Sequence, residues 1–212
     1  MPPASSDSII VTFDGKRCIH ARRCVLALPG VFRAGAEGQW IFPESAPAEE
    51  IARVIGACPS GALTYQRKDG GLEEQAPGVN TLRPWEDGPN ELRGDVRIAG
   101  QEPRMRAVLC RCGQSQRMPF CDNSHLKAEF RATSDIPSKE GKPLEAFDGP
   151  LEVTPTKDGP NMIAGNLQII AGSGRKVATV RKAFLCRCGQ SKNKPFCDGS
   201  HKAAGFKADG AE

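Results

Sequence analysis

Residues 110–125 read CRCGQSQRMPFCDNSH, and residues 186–201 read CRCGQSKNKPFCDGSH. These two stretches are identical at 12 of 16 positions. The agreement continues upstream, where the tetrapeptide DGPN occurs at residues 87–90 and again at residues 158–161. The chain therefore carries an internal repeat of about 60 residues, and such self-similarity predicts two copies of one structural unit.

The composition favours several small units over one large core. The 212 residues include 23 Gly and 17 Pro, whereas aromatic residues make up only 6%. A unit of fewer than about 70 residues usually needs a metal or disulfides for stability. Nine Cys could supply either, but an odd number excludes complete disulfide pairing within the chain.

The sequence also bears on where the protein works. Nothing near residue 1 resembles a secretory signal, and no apolar run approaches the roughly 18 residues that a spanning helix needs. We therefore expect a cytoplasmic protein without a membrane anchor, in which clustered Cys hold metal rather than form disulfides. The net charge of +4 is mild and neither excludes nor favours nucleic-acid or protein partners. We expect a protein partner and no nucleic-acid ligand.

The pattern of apolar residues predicts an α+β fold. In the N-terminal part, which lies outside the repeat, it predicts helices at 21–28 and 48–57 and strands at 9–13, 40–42 and 63–66. Each repeat is β-rich upstream of its Cys block. Alternating apolar and polar residues around a Gly predict strands at 92–98 and 163–170, and the segments 106–109 and 177–185, which lead directly into the Cys blocks, are predicted to be strands as well.

Turn-forming and charged stretches divide the chain into five segments. Residues 70–78 are predicted to be a linker, and residues 134–148 a connector between the repeats, because both are rich in polar residues, Gly or Pro. The remaining segments are a small N-terminal domain at 1–69, a first repeat at 79–133 and a second repeat at 149–212.

Each Cys block carries a set of four candidate metal ligands. The pattern is C-x-C-x8-C-x3-H, and two of the three His in the chain fall at its last position. Three thiolates and one imidazole suit either zinc or a small iron–sulfur cluster, and the spacing alone leaves both open. The candidates are Cys110, Cys112, Cys121 and His125 in the first block and Cys186, Cys188, Cys197 and His201 in the second.

Both blocks resemble the CDGSH iron–sulfur family, whose pattern is C-x-C-x2-[ST]-x3-P-x-C-D-G-[ST]-H. The second block matches this pattern throughout, and the first departs from it only at Asn123, where the family has Gly. Since Asn tolerates positive φ better than most residues, we expect the first site to survive. The resemblance implies one [2Fe-2S] cluster per block, with two Cys on one iron and Cys plus His on the other.

The resemblance also implies an arrangement for the two repeats. Family members with one block form intertwined homodimers in which the protomers exchange a strand. With two blocks in one chain, we expect the repeats to pack on each other as a pseudo-twofold pair within a monomer. In this arrangement residues 79–84 and 150–155 are expected to form equivalent strands, with no need for a second chain.

Three further Cys lie in the N-terminal domain. Cys18, Cys24 and Cys58, the last followed by Pro59, resemble the divergent single-cluster ferredoxin domain with Ala21 in place of its second Cys. Three Cys fit a [3Fe-4S] cluster best, and the alternatives are a [4Fe-4S] cluster or free buried thiols. A [4Fe-4S] cluster needs another ligand, and His20, one position from the missing Cys, is expected to be a surface residue or to lie beside the cluster.

These features together predict an iron–sulfur protein that transfers electrons to or from an unidentified redox or cluster-acceptor protein. Cluster transfer, redox or pH sensing, and a zinc-bound interaction module are the alternatives. We expect no enzymatic activity, because no nucleophile with its own base accompanies the clusters. Arg111 and Arg187, each between paired Cys, are interpreted either as charges that offset a cluster or as ordinary surface charges.

Overall fold

The computed structural model describes residues 1–138 and 143–211. The chain forms two compact units, Met1–Gln75 and Ala76–Glu212. Its described part is mostly β, with a few short helices. No helix in that part is long and apolar enough to cross a membrane. Residues 139–142 of the predicted connector and residue 212 lie outside the described residues.

The first unit is a small antiparallel sheet covered by helices. Its strands are β1 (Ala4–Ser5), β2 (Ile9–Phe13) and β3 (Leu63–Arg67), in the order β1-β2-β3. The helices are α1 (Arg23–Ala27), a single 3-10 turn (Pro43–Ser45) and α2 (Ala48–Gly56).

The core of this unit forms where one face of α2 meets one face of the sheet. Ile9 and Val11 are fully buried because side chains alternate along a strand and these two share the inner face. Ile51 and Ile55 are fully buried as well, since residues four apart lie on one face of a helix. Both pairs belong to a single cluster of buried apolar residues.

Most elements predicted for this unit are confirmed within one or two residues, but the strand predicted at 40–42 is wrong. Ile41 makes only a single antiparallel bridge with Phe32. The next residue but one, Pro43, lacks a backbone N–H and begins the 3-10 turn, so the pairing cannot extend. The helix predicted at 21–28 is shorter, beginning at Arg23 and ending at Ala27.

The second unit contains two successive copies of one three-stranded antiparallel meander. Each copy ends in a loop and a single helical turn. The first consists of β4 (Thr81–Pro84), β5 (Asn90–Ile98), β6 (Arg104–Leu109) and α3 (Ser124–Lys127). The second consists of β7 (Pro150–Pro155), β8 (Asn161–Ile170), β9 (Lys176–Leu185) and α4 (Ser200–Ala203).

The two copies share one six-stranded sheet, because the first strand of each copy also pairs with the long middle strand of the other copy. β7 runs parallel to the end of β5, from Asp95 opposite Pro150 to Ile98 opposite Val153. β4 runs parallel to the end of β8, with Thr81 opposite Gln168. Buried side chains of both copies accordingly form one apolar core.

A glycine near the middle of each long strand permits this exchange of partners. Gly94 has φ +150° and Gly165 has φ +125°, both in the region that disfavours side chains. Residues 90–93 of β5 pair with β4, and residues 95–98 pair with β7. A Cβ at Gly165 would overlap the carbonyl oxygen of Pro150, so the close approach of β7 requires glycine there.

Replacing Gly165 by Ala should therefore destabilise the second unit more than the same change at Gly174. Gly174 is a matched control, because it also has positive φ (+91°) but no atom within 4 Å of the position a Cβ would take. We expect urea unfolding to show a loss of about 1 kcal/mol for Gly174→Ala and at least about 2 kcal/mol for Gly165→Ala. Equal losses would contradict the close packing of β7 on β8.

Candidate metal centres

The first Cys block forms a loop that folds back onto the strand before it. The backbone N–H of Cys110 donates to the carbonyl of Pro119 at 2.8 Å, and the N–H of Cys121 donates to the carbonyl of Val108 at 2.9 Å. The fold-back brings the four candidate ligands together as two pairs. Cys110 Sγ lies 3.6 Å from Cys112 Sγ, and Cys121 Sγ lies 3.5 Å from His125 Nδ1.

The second block repeats this geometry. Cys186 Sγ lies 3.8 Å from Cys188 Sγ, and Cys197 Sγ lies 3.4 Å from His201 Nδ1. The residue before the helical turn is left-handed in both copies, with φ 71° at Asn123 and 89° at Gly199. Asn123 thus keeps the backbone conformation of glycine, as expected, and the first site retains its shape.

Backbone amides surround the sulfur atoms in both loops. The N–H two residues after a Cys donates to its Sγ at 3.4 Å, from Gln114 to Cys112, Asn123 to Cys121, Gln190 to Cys188 and Gly199 to Cys197. Hydrogen bonds from backbone amides to ligand sulfur atoms are among the interactions that set the potential of an iron–sulfur cluster.

The remaining motif residues hold the loop in this shape. Asp198 accepts hydrogen bonds from the Ser200 hydroxyl and from the amides of Lys192 and Ser200, which hold the pKa of its carboxyl well below the usual range. The hydroxyl of Ser191 donates to the carbonyl of Phe196 at 2.6 Å. The first loop has the corresponding bonds from Ser115 to Phe120 and to Asp122 from Gln116 and Ser124.

Burial controls the protonation of the candidate ligands. It raises the pKa of Cys121 and of Cys186 to about 11. Within the first Cys pair, the hydrogen bond from Cys112 lowers the pKa of Cys110 to about 6, and the same bond raises the pKa of Cys112. Binding of a metal must therefore release protons from several of these thiols.

The donor sets fit a two-iron cluster. Each loop presents two pairs of donors, and the described residues contain no group of three or more His, Cys, Asp or Glu placed to hold a single metal ion. The side-chain amides of Asn90 and Asn161 are buried and make no hydrogen bond with any described residue. Asn90 pairs with Leu109 and Asn161 pairs with Leu185, the residues immediately before Cys110 and Cys186. A sulfide of a bound cluster would accept hydrogen bonds from these two side-chain amides.

The three remaining Cys come together in the first unit. Cys18, Cys24 and Cys58 line one cavity of about 550 Å³. Burial raises the pKa of Cys24, and the nearby charges of Cys58 and Cys18 raise it further. The N–H of His20 donates to Cys18 Sγ at 3.4 Å. The amide two residues after a Cys makes the same kind of hydrogen bond in both repeats.

Comparison with known proteins agrees with this geometry. A family model described as iron-binding zinc finger, CDGSH type, matches residues 87–126 and 158–202, and one described as divergent 4Fe-4S mono-cluster matches residues 5–68. CDGSH iron-sulfur domain-containing protein 1 of Rattus norvegicus and of Mus musculus is 33% identical over 82 residues, which are 37% of this chain and 72% of the relative. This chain belongs to the CDGSH iron–sulfur family.

The N-terminal unit has its own relative. The uncharacterized protein YjdI of Escherichia coli K12 is 33% identical over 64 residues, 30% of this chain and 83% of YjdI. The protein is thus an iron–sulfur binding protein of the CDGSH type with an additional divergent cluster domain, and both resemblances seen in the sequence are confirmed.

The two CDGSH loops lie against each other. Gly113 has φ +79°, and a Cβ on it would overlap the carbonyl of Cys188. Gly189 has φ +77°, and a Cβ on it would overlap the carbonyl of Cys112. The backbone next to the second ligand of each site therefore contacts the backbone of the other site, and each contact requires glycine.

The sequence interpretation of the two arginines between the paired Cys as ordinary surface charges is wrong. Their interpretation as charges that offset a cluster stays a prediction, since Arg111 lies close enough to Cys186, and Arg187 to Cys110, for the charges to interact. Both side chains are 1% exposed and bind backbone carbonyls. Arg111 donates to Gly88, Trp85, Ala132 and Thr133, and Arg187 donates to Gly159, Thr156, Ala208 and Asp209. Each arginine thus joins the DGPN turn to the segment after the helical turn. In the sequence, the only sign of this role is that both repeats have arginine at this position.

Replacing Arg111 by Lys tests this role, because lysine keeps the charge but lacks the planar set of five donors. We expect Arg111→Lys to lose at least about 2 kcal/mol of stability, as hydrogen bonds from a charged group to buried carbonyls are broken, and to lose visible cluster absorbance several-fold faster. Arg131→Lys is the control, since the side chain of Arg131 is 80% exposed. Arg111→Lys protein that behaves like the parent would show that the charge alone matters.

Proposed function

We propose that this protein transfers electrons and carries two [2Fe-2S] clusters, one in each CDGSH loop, and a third cluster of three or four irons in the N-terminal unit. The observation that carries the proposal is the pairing of donors in both loops, two and two, beside a separate cavity lined by three Cys. The protein works in the cytoplasm with a redox partner, and it is not itself an enzyme.

In this proposal, Cys110 and Cys112 bind one iron, and Cys121 and His125 bind the other. The second loop uses Cys186 and Cys188, then Cys197 and His201, while Cys18, Cys24 and Cys58 hold the third cluster. A bound cluster supplies a centre that gains or loses one electron with little movement of its ligands. The residues of the chain position that centre, shield one side of it and set its potential.

Burial assigns different tasks to the two ligand pairs of each loop. Cys110 is 1% exposed and Cys112 is 6% exposed, so this pair faces the interior. His125 and His201 are only half-buried, so the histidine side of each loop is the edge that reaches solvent. An electron exchanged with a partner protein takes the shorter path through this edge.

The surface beside the histidines is basic. Arg117 and Lys127 in the first repeat are exposed, as are Lys192 and Lys202 in the second. The carboxylates of Asp122, Asp198 and Glu129 lie in the same segments and carry negative charge, but the four basic side chains outnumber them. Because complementary charge speeds the encounter of two proteins, the proposed partner presents an acidic surface.

We further propose that the repeats form a pseudo-twofold pair and that the N-terminal unit is ferredoxin-like. Reciprocal pairing of β4 with β8 and of β7 with β5 supports the first point. Reciprocal contact between the loops at Gly113 and Gly189 supports it as well. Because each repeat already receives a strand from the other, the protein needs no second chain and is a monomer.

Cluster transfer to another protein is the second candidate function. It is favoured by the exposure of the histidine edge, since a half-buried imidazole is the ligand that solvent and acid reach first. Mixing the loaded, reduced protein with an oxidised holo-ferredoxin and, separately, with an apo-ferredoxin distinguishes the two functions. Reduction of the holo-ferredoxin without movement of iron supports electron transfer, and appearance of a cluster in the apo-ferredoxin supports cluster transfer.

The metal content of anaerobically purified protein tests the proposal as a whole. We expect about seven or eight irons and about eight acid-labile sulfides per chain. Cys58→Ser protein should lose only the N-terminal cluster, because that unit is compact by itself. Stoichiometric zinc without sulfide would contradict the proposal and support the zinc-bound interaction module instead.

A further inference from the structure

The cavity of the N-terminal unit holds more candidate ligands than the three Cys. A four-iron cluster needs one protein ligand for each iron, and the Cys supply three. His20 lines the same cavity of about 550 Å³ together with Cys18, Cys24 and Cys58. Assuming the proposed cluster in this unit, we propose that His20 is its fourth ligand, which makes it a [4Fe-4S] cluster held by three Cys and one His.

The backbone places His20 where a ligand is needed. Its amide donates to Cys18 Sγ at 3.4 Å, so the residue lies directly beside the first ligand. His20 has φ 51°, a left-handed conformation that costs free energy for a residue other than glycine. This turn brings residue 20 to the cavity wall. In the ferredoxin pattern the second ligand lies three residues after the first, and that position holds Ala21 in this chain.

The imidazole is available to bind iron. No described residue makes a hydrogen bond or an ion pair with the side chain of His20, which is exposed at the cavity wall. Ser60 is the other neutral side chain there that is able to bind iron through a lone pair. Its hydroxyl is already 3.8 Å from Cys58 Sγ, beside a ligand that serves another iron.

The charges around the cavity suit an anionic occupant. Arg22, Arg23 and Arg33 line it, and no Asp or Glu does so among the residues described at its wall. Three thiolates leave an oxidised four-iron cluster with a net negative charge, and a neutral imidazole leaves that charge smaller than a fourth thiolate would. The arginines therefore favour this ligand set over a bare metal cation.

Electron paramagnetic resonance of the full-length protein after treatment with ferricyanide tests this assignment. Oxidised [2Fe-2S] and [4Fe-4S] clusters give no signal, whereas an oxidised [3Fe-4S] cluster gives one close to the free-electron g value. If the fourth iron lacks a protein ligand, it leaves as Fe²⁺ while ferricyanide takes one electron, and [4Fe-4S]²⁺ becomes [3Fe-4S]⁺. His20→Ala should therefore show about one such spin per chain, and the parent should show none.

Two further variants make the test specific. His20→Cys restores a ligand and should remain silent with its full iron content. Arg17→Ala is the control, because Arg17 lies in the same loop next to Cys18 but its side chain pairs with Asp14 and does not line the cavity. It should remain silent as well. Complete loss of the N-terminal cluster in His20→Ala, with retention in the other two variants, would also support ligation.

Three results would overturn the assignment. A parent protein that already shows the three-iron signal needs no fourth ligand. A His20→Ala variant that stays silent with full iron does not depend on the imidazole. Equal cluster loss in His20→Ala and Arg17→Ala would indicate a general disturbance of the loop rather than ligation. A parent chain with no iron or sulfide in this unit would instead refute the proposed function.

Discussion

Each CDGSH site depends on two backbone hydrogen bonds that close a loop onto the strand before it. In the first repeat they join Cys110 to Pro119 and Cys121 to Val108. Without these bonds, nothing in the loop would hold the ligands at its two ends close together. With them, a strand that is already held in the sheet becomes the rigid base for both ligand pairs, and its pairing with the rest of the sheet sets the position of the site.

The sharing of strands between repeats extends this dependence to the whole second unit. Each meander alone is a three-stranded sheet of modest core, and such small units rarely fold without a staple. Parallel pairing of β5 with β7 and of β4 with β8 gives both repeats one apolar core. The buried arginines Arg111 and Arg187 then join each loop to the DGPN turn.

Much of this organisation could be predicted because it is local in the sequence. The spacing of Cys and His identified all the residues that the two loops bring together, and the repeat placed equivalent strands correctly. The strand predicted at 40–42 failed because Pro43 ends the pairing after one bridge. Burial of Arg111 and Arg187 could not be predicted, since their carbonyl partners are more than 20 residues away in the chain. The predicted domain boundaries stay predictions.

Pulsed electron paramagnetic resonance of the dithionite-reduced protein tests the paired ligation of the CDGSH loops most directly, because it detects the nitrogen nuclei bound to a paramagnetic cluster. We predict strong coupling to one imidazole nitrogen at each of the two [2Fe-2S] clusters. His125→Cys should remove the coupling of the first cluster, and His201→Cys that of the second. Reduced [2Fe-2S] signals without nitrogen coupling would contradict ligation by three Cys and one His. Coupling that survives the replacement of both histidines in the Cys58→Ser protein, which lacks the N-terminal cluster, would contradict it as well.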